Sequence, residues 1–194
     1  MKRLLLVVGL ISTWIVASAQ STDDPGLGAN LAAQAAADLV RETAGTDGAF
    51  LAAGLLKDKS DASDASTLFQ YPGDEIVVVT LTGAQIKQAF ERSVSLFPQS
   101  NSAFLQISGF SATFSKSAPA NRRIVDVSSD FGKVADTQNY TIAMPSSLAR
   151  GGLGYFKIWD KPNITRSLNI TLERVLKGKR LNVGAQSPRW TAAD

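Results

Sequence analysis

The stretch Glu75-Ile76-Val77-Val78-Val79-Thr80-Leu81-Thr82-Gly83-Ala84-Gln85 decides how this chain of 194 residues is read. From Ile76 to Val79 every side chain is apolar and β-branched, which favours an extended, buried backbone, and the run is too short for a helix. Thr82 and Gln85 then stand at the spacing of a capping box. There a hydroxyl and an amide exchange hydrogen bonds with backbone donors that the first helical turn leaves unpaired. Ile86, Ala89, Phe90 and Val94 follow at helical spacing, and Pro98 sets a stop.

Upstream of this unit, Asn30 caps an Ala-rich helix over 31–43, with Leu31, Ala32, Ala35 and Leu39 as its apolar stripe and Gly45 as its terminating glycine. Residues 49–56 read as a buried strand of small side chains, and 57–66 as polar, with Asp61 or Ser63 capping a short turn of helix that ends near Phe69. Downstream, strands are expected at 104–107 and 110–115, around Ser108-Gly109. In the second of them Phe110, Ala112 and Phe114 share one face, and Ser111, Thr113 and Ser115 the other. A turn at 119–121, strands at 123–127 and 140–144, and a glycine-rich loop from Ala149 through Gly151, Gly152 and Gly154 to Tyr155 come next. The spacing predicts a last helix over 165–177, closed by Gly178, and then an irregular tail that Trp190 could anchor. Helices and strands that do not strictly alternate indicate the α+β class.

Composition removes several chemistries. The sequence has no cysteine and no histidine. Ser-His-Asp triads, thiol nucleophiles, Cys/His zinc sites and disulfides are therefore excluded within it. A net charge of +3 is too small to argue for a nucleic-acid partner. Lys2 and Arg3, an apolar run over 4–16 and Ala17-Ser18-Ala19 form the pattern of a secretory signal peptide cut before Gln20. Nothing else approaches a transmembrane length. The expected organisation is a leader at 1–19, an exposed lead-in at 20–30, one domain at 31–178 and an irregular tail at 179–194. A cysteine-free exported domain suits a bacterial periplasm or exterior. Three Asn-x-Thr sequons, at Asn139, Asn163 and Asn169, would matter only in a host that glycosylates them.

Individually the local motifs have plain structural readings. The Gly151-Gly152-Leu153-Gly154 loop lacks the Lys-Ser/Thr of a phosphate-binding loop and reads as a turn. Tyr71, before Pro72, could stack on a ring or pack as core edge. Asp61, Asp64, Asp74 and Glu75 lack calcium-loop spacing and read as caps and turn residues. Between Lys161 and Arg189 seven basic residues accompany only Glu173, which reads as a solvated basic helix face or a surface for an anionic partner.

In order, however, three segments resemble the C-terminal domain of the 5′-nucleotidase family, which includes UDP-sugar hydrolases. Val77-Val78-Val79-Thr80-Leu81-Thr82-Gly83-Ala84-Gln85-Ile86 is similar to the family's valine run followed by Leu-Thr-Gly-Ala-Gln-Leu. Phe104-Leu105-Gln106-Ile107-Ser108-Gly109-Phe110 resembles its Arg-Phe-Leu-Gln-Val-Ser-Gly strand. Tyr140-Thr141-Ile142-Ala143 with Leu148-Ala149-Arg150-Gly151-Gly152-Leu153-Gly154-Tyr155 resembles its Tyr-Thr-Val-Ala segment and its Phe-Leu-Ala-x-Gly-Gly-Asp-Gly-Tyr loop. The resemblance spans about residues 36–159 and implies a layered α/β/β/α sandwich with mixed sheets.

The resemblance also implies a division of labour: an N-terminal metallophosphatase domain holds the metals, and the C-terminal domain grips the nucleoside. Here the leader runs almost directly into the second domain, so no catalytic residue, cofactor or metal site is expected in this polypeptide. Of the family's two base-stacking aromatics, Tyr71 stands at the first position and Ser147 at the second. The loop aspartate that binds ribose hydroxyls is Leu153, which cannot accept a hydrogen bond. The arginine before Phe-Leu-Gln is Ala103, and a further Gly-Gly-Ile-Arg segment is replaced around 53–56, with Lys57 and Lys59 as nearby cations. The candidate ligand residues are thus Tyr71, Ser147, Arg150, Gly151, Gly152 and Tyr155. Three functions follow as expectations: a non-catalytic exported domain with a lost or altered nucleoside site; a substrate-binding subunit working with a separately encoded metallophosphatase; or an envelope binding module using the basic C-terminal helix.

Overall fold

The computed structural model describes residues 21–57 and 64–194; the leader at 1–19 and the caps considered at Asp61 and Ser63 lie outside them. In chain order the elements are α1 (Leu31–Ala44), β1 (Gly48–Ala52), β2 (Glu75–Thr82), α2 (Gly83–Ser93), β3 (Leu105–Ser108), β4 (Phe110–Phe114), β5 (Ile124–Ser129), β6 (Gly132–Lys133), β7 (Asn139–Pro145), α3 (Ser146–Ala149), β8 (Ile164–Thr171), α4 (Leu172–Leu176) and β9 (Trp190–Ala192). They form a five-stranded sheet, β3-β1-β7-β2-β8, and a four-stranded sheet, β6-β5-β4-β9. Both sheets are mixed, because β1 runs parallel to β7 and β4 parallel to β9. The α+β class expected from the sequence stands.

The capping box forms as the residues dictate: Gln85 N–H donates to the Thr82 hydroxyl, and the Gln85 side-chain oxygen accepts from Thr82 N–H at 2.9 Å. Ile86, Ala89, Phe90 and Val94 are all buried. Thr82→Ala should cost about 1 kcal/mol, the usual value of a lost N-cap, read as a lower urea midpoint at unchanged slope.

Helix α1 carries its expected caps, with the Asn30 side chain accepting from Ala33 N–H and Gly45 left-handed at φ 62°. Its buried stripe is turned from the one expected: Ala35 is buried as expected, together with Ala33, Ala36, Ala37, Val40 and Ala44, whereas Leu31, Ala32 and Leu39 are only partly buried. Small side chains win the inner face because the helix lies close on the sheet. Asp38 accepts from the Ser108 hydroxyl, and Ser108 is registered against Ala49. Side chains alternate across a strand, so α1 covers the Ala49 face and Phe50 points to the other. There Phe50 meets Phe90, Phe110 and Trp159, with ring centroids 5.6, 6.0 and 6.4 Å away. This aromatic cluster joins the two sheets and α2.

Several sequence expectations are corrected. The strand over 49–56 ends at Ala52 and becomes a 3-10 turn, Ala53–Leu55. The polar turn is capped by Asp64, whose carboxylate accepts from Ser66 N–H. The lead-in is not exposed throughout: Ala29 is fully buried, and Gln106 Nε2 donates to the carbonyls of Pro25 and Gly28. The helix expected over 165–177 is strand β8 followed by the one-turn α4, because Ile164, Thr165, Ile170 and Thr171 are β-branched and the edge of β2 supplies ladder partners. The basic residues of this stretch are spread over β8, α4 and the tail and do not line one long helix: Arg166 donates to the Ala44 carbonyl, Arg189 pairs with Asp38 and Lys177 with Glu173, so an envelope module loses the helix it was read from. The tail is irregular apart from a 3-10 turn, Val183–Ala185, and its end, where β9 pairs with β4 and Trp190 is the expected anchor, buried with its indole N–H on the Leu105 carbonyl.

Candidate functional site

Three segments line a half-open cavity of about 650 Å³ bordered by Gly54, Leu55, Tyr71, Gly73, Asp74, Ser147, Leu148, Gly152 and Leu153. The 3-10 turn after β1 gives Gly54 and Leu55, the loop before β2 gives Tyr71 to Asp74, and α3 with its following loop gives the rest. Its volume is in the range of small-molecule sites.

The geometry follows from how α3 begins. Pro145 stands at its N-cap and offers no capping side chain. Asp74 supplies the cap across the chain, Oδ2 accepting from Ser147 N–H at 3.1 Å and from the Ser147 hydroxyl. Ser147 is therefore more than a missing aromatic; it ties α3 to the Tyr71 loop. The Tyr71 ring is 62% exposed at the cavity mouth. On the far side Leu153 sits at φ 55° and Gly154 at φ 80°, both left-handed. The Leu153 carbonyl is held by the Arg92 guanidinium, Nε donating at 3.0 Å and Nη2 donating as well. A Cβ added to Gly54 would lie 3.3 Å from a Leu153 methyl, so the missing side chain leaves room for the leucine and the cavity together.

Of the six candidate residues, Tyr71, Ser147 and Gly152 line this cavity; Arg150, Gly151 and Tyr155 do not. Arg150 is exposed and donates to the Ser146 hydroxyl. Gly151, at φ 80°, packs so tightly that an added Cβ would fall 2.6 Å from Phe156. Tyr155 must be corrected outright. It is fully buried, stacked on Trp159 at 4.4 Å with its hydroxyl donating to the Ala103 carbonyl at 2.6 Å, and burial pushes its phenol pKa well up. It is a pillar under the loop with no surface for a ligand.

Lys57 lines a separate, more polar cavity, and Lys59 lies outside the described residues. Asp74 was legible only as a turn residue, while Leu148 lay in the loop segment of the family resemblance and Leu55 in the replaced 53–56 stretch, neither singled out as a ligand residue. Among the described residues no cluster of three or more carboxylates is placed to hold a metal ion, and no helix is long and apolar enough to cross a membrane.

The family model for the 5′-nucleotidase C-terminal domain matches residues 8–160. This chain belongs to that family. A Bacillus subtilis trifunctional nucleotide phosphoesterase is 33% identical over 116 residues, covering 57% of this chain and 8% of its own length. A 5′-nucleotidase-related protein of Glossina morsitans morsitans is 28% identical over 141 residues, covering 66% of this chain and 25% of its own. The chain therefore spans a quarter or less of these two relatives. A 5′-nucleotidase precursor from Thermus thermophilus superposes with a TM-score of 0.72 at 20% identity, over 94% of this chain and 40% of that one. A sulfate thiohydrolase from a Thermus species superposes at 0.56 and 18% identity, over 82% of this chain and 31% of its own. At such identities the likeness is one of fold, and a 5′-nucleotidase C-terminal fold shared with a thiohydrolase leaves function to be argued from the cavity.

Proposed function

We propose that this chain is an exported 5′-nucleotidase C-terminal domain that binds a ligand without catalysing a reaction, its nucleoside site having become a largely apolar cavity with an aromatic on one side only. One observation carries the reading: Tyr71 and Ser147, the positions at which the family resemblance places the stacking aromatics, line one cavity together with Leu153. The scaffold around it is kept, while Leu153 offers that cavity no acceptor. The leader pattern at 1–19 supports export. Purified protein given AMP or UDP-glucose with added Mn²⁺ or Co²⁺ should form no phosphate from AMP, and no UMP or glucose 1-phosphate from UDP-glucose, above the blank. Reproducible product formation that Tyr71→Ala abolishes would overturn the reading.

A second reading has its own support in the lengths of the relatives, which are called nucleotidases or phosphoesterases and extend far beyond the matched region. On it, the chain is the substrate-binding part of a nucleotide-hydrolysing enzyme, working with a separately encoded metallophosphatase. Hydrolysis that appears only when the two polypeptides are mixed would favour it over the first.

A further inference from the structure

We propose that the Tyr71 cavity receives an organic cation with a ring-sized apolar body, an arylalkylamine, its ammonium at the Asp74 carboxylate and its ring against Tyr71 and the leucines. The inference rests on the reading of this cavity as a ligand site and gives that site a ligand class.

Charge carries the argument. Among the described residues Asp74 is the one charged residue lining the cavity, and no lysine or arginine lines it. Among the described residues Asp74 makes no ion pair. Its Oδ2 takes both bonds from Ser147, and Oδ1 has no hydrogen-bond donor among them. A half-buried carboxylate with a free oxygen, facing an apolar cavity, repels a phosphate or a carboxylate and attracts a cation with N–H donors. The other walls answer to the rest of such a molecule. Leu55, Leu148 and Leu153 reward apolar area. The exposed Tyr71 ring pairs with no other aromatic among the described residues, so its face is free both for stacking and for a cation. A nucleotide fits this set poorly, for its charge has the wrong sign and its ribose hydroxyls meet leucine.

The test is isothermal titration of the intact chain at low salt with tryptamine, its neutral relative 3-methylindole, adenosine and AMP. Tryptamine should bind about tenfold more tightly than 3-methylindole, in line with a cation meeting both an aromatic face and a carboxylate, and AMP should give no heat. Asp74→Asn keeps an acceptor for Ser147 and should bring tryptamine down to the level of 3-methylindole. Tyr71→Ala, at an exposed position, should weaken both, with circular dichroism checking that each variant is folded. If tryptamine binds no better than 3-methylindole, or AMP or adenosine binds best, the amine assignment falls and the ligand site stands. If none of the four binds, the ligand site falls with it.

Discussion

Trp190→Ala is expected to destabilise the protein by about 3–5 kcal/mol, the range for emptying a large aromatic site in a core. The indole is 2% exposed although it stands only a few residues from the end of the chain. Its ring lies 4.7 Å from Phe104, 5.1 Å from Phe90 and 6.4 Å from Phe114, bringing together β9, α2, β4 and the turn before β3. Its N–H donates to the Leu105 carbonyl at 2.8 Å, so alanine also leaves a buried acceptor unpaired. Neighbouring anchors cannot make up the loss. Arg189 ties the tail to Asp38, Gln34 and the Ile107 carbonyl, but polar bonds at a partly exposed surface are worth far less than a buried indole. Urea unfolding followed by far-ultraviolet circular dichroism reads the effect without depending on the deleted fluorophore. A loss below about 1 kcal/mol would mean that the tail strand does not share the cooperative core.

Gly109→Ala should cost about 2–5 kcal/mol, combining the left-handed backbone penalty with overpacking. Gly109 sits between β3 and β4, where the chain leaves one sheet for the other, at φ 78°. An added Cβ would fall 2.1 Å from the Asp47 carbonyl oxygen and 2.9 Å from the Arg41 guanidinium carbon. The carbonyl is backbone and cannot swing away. Gly178 is the control: at φ 70° it shares the left-handed backbone but has nothing within 4 Å of an added Cβ. Gly178→Ala should therefore show the conformational penalty alone, and the difference between the two unfolding midpoints isolates the close approach at the sheet crossing.

Where the sequence reading held, the information was local. The β2–α2 unit was readable because its β-branched run, capping box and helical spacing all act within a few residues. The family resemblance rested on the same framework positions, which is why it identified the fold while half of the candidate ligand residues proved to lie elsewhere. Tyr155 shows the limit. Its loop motif marks it as notable, yet only its stacking on Trp159 and its bond to Ala103, far away along the chain, make it a pillar.

By itself the sequence determined the α+β class, the capped helices, the alternating strand at Phe110–Phe114 and the absence of thiol and imidazole chemistry. Tertiary structure decided that Ile164–Thr171 is a strand, that the tail enters a sheet, and that the cavity has leucine walls and a carboxylate, Asp74, without an ion pair among the described residues. The physical reason is common to all three. Edge pairing, burial of Trp190 and the orientation of Asp74 toward Ser147 are interactions between residues far apart in the chain. Their energies depend on which surfaces the fold brings together, and neither periodicity nor propensity encodes that.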